Sequence, residues 1–213
     1  MKIEYYTVKD LTENLIVIER SKFICAIKNV DNEDDAKTFI NEVRKKHSLA
    51  THNCYAYIAD ELGLIQKFSD DGEPQGTAGM PMLDILKNKK LYKTVAVVTR
   101  YFGGVKLGTG GLVRAYSGSV VDCLNKANVV KVETANFIKV FTDYEGYSKF
   151  LKFVSNKTDC QIMDTDFSDK VVLNLAVKGD ENDLNNFVAE LNDYFCGAIK
   201  TQFLYEGFYT FKV

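Results

Sequence analysis

The chain has 213 residues, 46% of them hydrophobic and 26% charged, with a formal net charge of −2. Those values describe a globular protein with enough chain to bury a core, and they exclude a disordered polyelectrolyte, a collagen-like fibre and a uniformly basic nucleic-acid coat. Five cysteines, at positions 25, 54, 123, 160 and 196, are odd in number, widely spaced and without a Cys-x-x-Cys pair; this argues against a disulfide framework and a cysteine-rich zinc site, so reduced and mostly buried thiols are expected. No basic stretch followed by an apolar run opens the sequence and the apolar runs are short, so a cytoplasmic location without membrane insertion is expected.

In chain order, Leu15 to Val30 reads as one extended strand. Asn32 to Lys46 follows as a helix with Ala36, Phe39, Ile40 and Val43 inward. Residues 53 to 59 and 64 to 69 form a hairpin around Glu61-Leu-Gly63. A helix is expected from about Met80, with Pro81 in its first turn, where a missing N–H does no harm. Thr94 to Phe102, almost wholly apolar, reads as a central strand, followed by a glycine-rich loop, a helix from Gly111 to Lys126 and a short strand at 129 to 132. From Phe137 the pattern is strand (137 to 143), helix (144 to 156), strand (159 to 167), strand (170 to 178), helix (180 to 194), strand (198 to 212). The helices place Tyr147, Phe150, Leu151, Val154 and Leu184, Phe187, Val188, Leu191 at i, i+3, i+4, i+7, and Ser168-Asp169 makes the hairpin turn. The order βαββαβ describes a ferredoxin-like sandwich. Fold class is therefore α+β, with domains at 1 to 136 and 137 to 213. Their charges support the cut weakly: 19 basic and 17 acidic residues give +2 before it, and 8 and 12 give −4 after it.

Chemistry concentrates between Ile85 and Val121, where seven Lys or Arg side chains occur with no Asp or Glu. Inside that window lies Arg100-Tyr-Phe-Gly-Gly-Val-Lys-Leu-Gly-Thr-Gly-Gly-Leu-Val-Arg114. Glycines permit positive φ and close approach, and a helix starting at Gly110 or Gly111 would aim free N–H groups at an anion. A Walker A loop fails because no Lys follows Gly108, and Gly-x-Gly-x-x-Gly fails at Val113. A generic anion-binding strand-loop-helix remains, beside the alternative of a tight packing turn. The candidate anion site is Arg100, Gly103, Gly104, Lys106, Gly108, Gly110, Gly111 and Arg114, extended by Lys87, Lys89, Lys90 and Lys93. Arg114 supports it: a cation in a helix's first turn opposes the macrodipole by roughly 0.3–1 kcal/mol unless an anion lies between.

Asp70, Asp71, Glu73 and Pro74 form an acidic turn. Its acids do not alternate as oxygen-ligand loops require, which leaves an ordered bend or a support that folds against the basic loop. His52 and Cys54 share a strand face, but no zinc-deaminase or nucleophile-elbow pattern accompanies them. His47 reads as a cation at a helix C-terminus. No metal, cofactor or catalytic residue is assigned.

The motifs Arg20-Ser-Lys-Phe23, His52-Asn-Cys-Tyr-Ala56, Asp70-Asp-Gly-Glu-Pro-Gln-Gly-Thr-Ala-Gly-Met-Pro81 and Val97-Val-Thr-Arg-Tyr-Phe-Gly-Gly-Val-Lys-Leu-Gly108 resemble the YigZ/IMPACT family, and the tail is similar to the small C-terminal domain of its bacterial YigZ branch. The resemblance implies an N-terminal βαβ fold of the ribosomal-protein and elongation-factor superfamily, and a tail similar to the last domain of elongation factor G. In the family this chain resembles, eukaryotic IMPACT members regulate translation by competing for the activator of a starvation-responsive kinase, largely through partner binding, and their N-terminal protein-interaction domain is not expected here. What carries over is a non-catalytic, translation-linked binding role with RNA, the ribosome or a translation-associated protein as partner. The alternative is an enzyme acting on a small phosphorylated or peptide substrate. The pattern leaves oligomeric state open.

Overall fold

A computed structural model describes residues 2–211. The chain divides into two compact units, one comprising Tyr5–Val130 and the other the residues up to Glu4 together with those from Lys131 onward. The expected cut at residue 136 falls inside a strand.

The first unit is built on a five-stranded antiparallel sheet in the order β2-β3-β6-β4-β5, made of β2 (Thr12–Ile18), β3 (Ser21–Asn29), β4 (His52–Ile58), β5 (Gln66–Ser69) and β6 (Thr94–Tyr101). β6 is buried along nearly its whole length and apolar from Val95 to Val98, because both its faces are covered. Ala96 and Val98 join Phe23, Cys25, Ile27, Cys54 and Ile58 beneath two helices, α2 (Gly79–Asn88) and α3 (Gly108–Leu124). Val95 and Val97 face α1 (Glu33–Lys46) on the other side, meeting Ala36, Phe39, Ile40 and Val43. Asn32 caps α1, its side chain accepting from the N–H groups of Asp34 and Asp35. The strand β1 (Glu4–Val8), which is not part of this sheet, has no counterpart in the sequence reading.

Leu15 to Val30 is not one strand. Ile18 pairs with Ser21, so Glu19 and Arg20 form a two-residue hairpin turn at φ +45° and +66°. That backbone normally selects Asn or Gly, which is why Glu-Arg gives no turn signal.

The second unit runs β7 (Val129–Thr142), α4 (Tyr144–Val154), β8 (Cys160–Phe167), β9 (Val171–Lys178), α5 (Glu181–Tyr194) and β10 (Lys200–Tyr209), with antiparallel strands ordered β10-β7-β9-β8. The strands read at 129 to 132 and from 137 are one continuous β7; Ala135 and Asn136, weak strand formers, hide the continuity. Both helices cover one sheet face, where Phe150, Leu184, Phe187 and Leu191 pack with Ile138, Val140, Leu173 and Leu175. Asp143 and Asp180 cap them, Asp180 in a capping box with Asp183. Leu151 is exposed, and Phe153 takes the inward place on α4 instead. Among the described residues, no helix is long and apolar enough to cross a membrane.

Candidate anion-binding site

The glycine loop leaves β6 at Tyr101 and enters α3 at Gly108, two to three residues earlier than the sequence suggested. Gly108 makes the early start possible by opening the helix at φ +69°. Gly110 and Gly111 therefore sit in its first turn, and no side chain caps this end of α3. At Gly103 the loop presses on the β2–β3 turn so closely that a Cβ would collide with the Arg20 carbonyl and the Ser21 nitrogen. Ser21 Oγ accepts from the Gly103 N–H at 3.1 Å, and Phe102 N–H donates to Thr51 Oγ1 at 3.1 Å. Gly104, at φ +86°, has nothing within 4 Å of where a Cβ would stand.

Between this loop, the first turn of α3 and the β2–β3 turn lies a cavity of about 530 Å³, lined by Ile18, Glu19, Lys106, Leu107, Gly111 and Arg114 among others. Lys106 and Arg114 are exposed, and neither side chain has an ion pair or hydrogen bond among the described residues. The cavity joins two unpaired cations to an uncapped helix N-terminus, where first-turn N–H groups lack intrahelical acceptors. Positive charge and free backbone donors thus face the same space.

Arg100 departs from the expectation that it converges with Lys106 and Arg114. It is 5% exposed and bound inward, because a buried carboxylate waits for it. Its Nη1 donates to Glu73 Oε1 at 2.6 Å and its Nη2 to Ser21 Oγ at 3.3 Å, and its guanidinium lies over the Phe23 and Phe102 rings at 5.3 and 5.4 Å. Arg100 Nε is buried without a partner among the described residues. Glu73 also accepts from the Tyr116 hydroxyl at 2.8 Å; burial, with Cys54 and Glu73 nearby, holds that hydroxyl far above its ordinary pKa. His52 Nε2 stands 3.8 Å from Glu73 Oε2, and its Nδ1 lies 2.8 Å from the Asp71 carbonyl, which only accepts, so Nδ1 carries the proton. Burial pushes the Cys54 thiol up to about 12, and it donates to the Asp70 carbonyl.

The acidic turn is tied into the fold at every acid. Asp70 accepts from the N–H groups of Gly76, Ala78 and Gly79, fixing the approach to α2. Asp71 accepts from Asn53 N–H at 2.6 Å and Arg44 at 2.8 Å, and the Pro74 carbonyl accepts from Thr77. Through Glu73 and Arg100 the turn reaches the end of β6 from which the glycine loop departs.

Lys87, Lys89, Lys90 and Lys93 do not extend the cavity. They occupy the end of α2 and the connection into β6, whereas the loop leaves from the far end of that strand, seven residue steps or roughly 23 Å away. Lys90 and Lys93 have φ of +50° and +48°, and Lys93 lies 3.8 Å from Asp31. An unbroken run of cations in sequence is thus split by a buried strand. His47 caps the C-terminus of α1, but burial first and Lys46 second push its pKa below the ordinary value, weakening its reading as a cation. Glu19 is the charged cavity residue the sequence reading missed; only its place beside the Arg20-Ser-Lys-Phe23 motif pointed to it.

The Impact N-terminal domain family matches residues 19–124. The IMPACT family member YvyE of Bacillus subtilis is 51% identical over 145 residues, covering 68% of this chain and 67% of its own length. The IMPACT family member YigZ of Escherichia coli is 34% identical over 185 residues, covering 86% of this chain and 89% of its own. A crystal structure described as that of a hypothetical protein superposes with a TM-score of 0.59 at 30% identity, covering 95% of this chain and 98% of that one. With relatives of this identity spanning nearly the whole sequence, the chain belongs to the IMPACT family.

Proposed function

We propose that this protein is a non-catalytic binding protein of the translation apparatus that grips RNA phosphates, on the ribosome or free, through the cavity beside the glycine loop. The observation that carries this reading is the pair of unpaired cations, Lys106 and Arg114, in one cavity at the uncapped start of α3. Phosphates are the anions that backbone N–H groups and an arginine fork fit best. The translation link rests on the resemblance to IMPACT proteins. The same reading takes the first unit as a βαβ fold of the ribosomal-protein and elongation-factor type and the second as ferredoxin-like, supported by its strand order β10-β7-β9-β8.

Co-sedimentation with ribosomes and with bulk RNA at two salt concentrations tests the proposal. Wild-type binding should fall steeply with salt, since each bound phosphate releases counterions. Lys106→Ala/Arg114→Ala, both exposed positions, should fold normally, bind more weakly and show a salt slope shallower by about 0.7 for each phosphate no longer neutralised. Wild-type binding that is absent, or that does not respond to salt, would sink the idea.

A further inference from the structure

The cavity holds a carboxylate that a plain anion site would be better without. Glu19 lines it together with Lys106 and Arg114, yet Glu19 forms no ion pair or hydrogen bond with either, or with any other described residue. Opposite charges that share a wall and leave each other free are each open to a ligand. The backbone that carries it is fixed: Glu19 and Arg20 stand at positive φ without being glycine, and Gly103 packs against this turn while its N–H donates to Ser21 Oγ. An ionised carboxylate only accepts hydrogen bonds. The ligand must therefore bring a donor close to its phosphates.

In a ribonucleotide that donor is the 2′-hydroxyl, next to the phosphodiester and absent from DNA. The volume, about 530 Å³, lies within the roughly 300–1,000 Å³ of ordinary ligand sites. We propose that Glu19 is a specificity-determining residue that accepts the ribose 2′-hydroxyl while Lys106 and Arg114 hold the adjoining phosphates, so that the site prefers single-stranded RNA over DNA. This rests on the reading of the cavity as an RNA-phosphate site. In DNA the carboxylate finds no hydroxyl to offset its repulsion of the phosphates, a repulsion common to both polymers.

The test is fluorescence anisotropy with short single-stranded RNA and DNA of matching sequence at one moderate salt concentration. Wild type should favour RNA by about tenfold, the scale of one hydrogen bond to a charged group. Glu19→Gly should bring the ratio close to one, and Glu19→Gln, which keeps a neutral acceptor oxygen, should lower it part of the way, chiefly by weakening RNA while DNA binding holds or improves. Glu19→Gly relieves the positive-φ turn, so a lost preference in that variant is not a lost fold. Equal wild-type affinity for both polymers, or variants that weaken both in proportion, would overturn the role of Glu19 and leave the phosphate site standing. Wild type that binds neither polymer would overturn the phosphate site itself.

Discussion

Glu73 draws three side chains together: Arg100 and Tyr116 donate to it, and the His52 imidazole stands beside it. Both ends of the Glu73–Arg100 pair are almost fully removed from water, with side-chain exposures of 4% and 6%. A buried pair of this kind adds little net stability compared with an apolar pair, yet losing one partner strands the other charge. Arg100→Met should therefore cost about 3–5 kcal/mol in a urea titration. Arg100→Met/Glu73→Leu should recover much of that loss, because no charge is left buried. Tyr116→Phe should cost about 1–3 kcal/mol through the unmet acceptor. A single Arg100→Met that unfolds within about 1 kcal/mol of wild type, well below the buried-pair range, would mean that water reaches Glu73 and that the cluster is not sealed.

At the scale of elements, two glycines near the loop make opposite predictions. Gly103 has no room for a methyl group because the Arg20–Ser21 backbone occupies it. Gly103→Ala should therefore destabilise by roughly 1–3 kcal/mol, the usual cost of overpacking. Gly110 is in the first turn of α3 at ordinary φ, where a Cβ would meet only the end of Arg114 at 3.6 Å. Gly110→Ala should be neutral or stabilise by up to about 1 kcal/mol through helix propensity. Paired thermal melts decide it; equal losses would show that the loop, and not the clamp at Gly103, sets the cost. The same contrast explains what was legible in the sequence. Asn32, Pro81 and the i, i+3, i+4, i+7 stripe of α1 declare themselves because their causes are local. The Glu19–Arg20 turn, the inward swing of Arg100 and the separation of Lys87–Lys93 from the loop do not. Each is decided by a partner far along the chain: Gly103 for the turn, Glu73 for the arginine, the length of β6 for the lysines.

Across the whole molecule, each large apolar cluster draws on one unit. The two that flank the first sheet use residues between Val8 and Ala127, and the two in the second unit use residues between Ala135 and Phe211. The cavity residues and the Glu73–Arg100 cluster also fall inside Tyr5–Val130. A segment of that length buries about two thirds of the surface its unfolded chain exposes, which ordinarily sustains independent folding. A fragment comprising residues 5–130 should therefore unfold cooperatively in urea on its own. Its charge also suits phosphate binding, because the acidic excess belongs to the second half of the chain. Removing that half lessens long-range repulsion of phosphates, an effect screened over about 10 Å at 0.1 M salt. On the proposed RNA-binding role, the fragment should show the same salt slope as the full chain, since the cavity lies wholly within it, and equal or somewhat higher affinity at low salt. A folded fragment that binds no RNA while the full chain binds would move the working surface out of the first unit and into the βαββαβ tail.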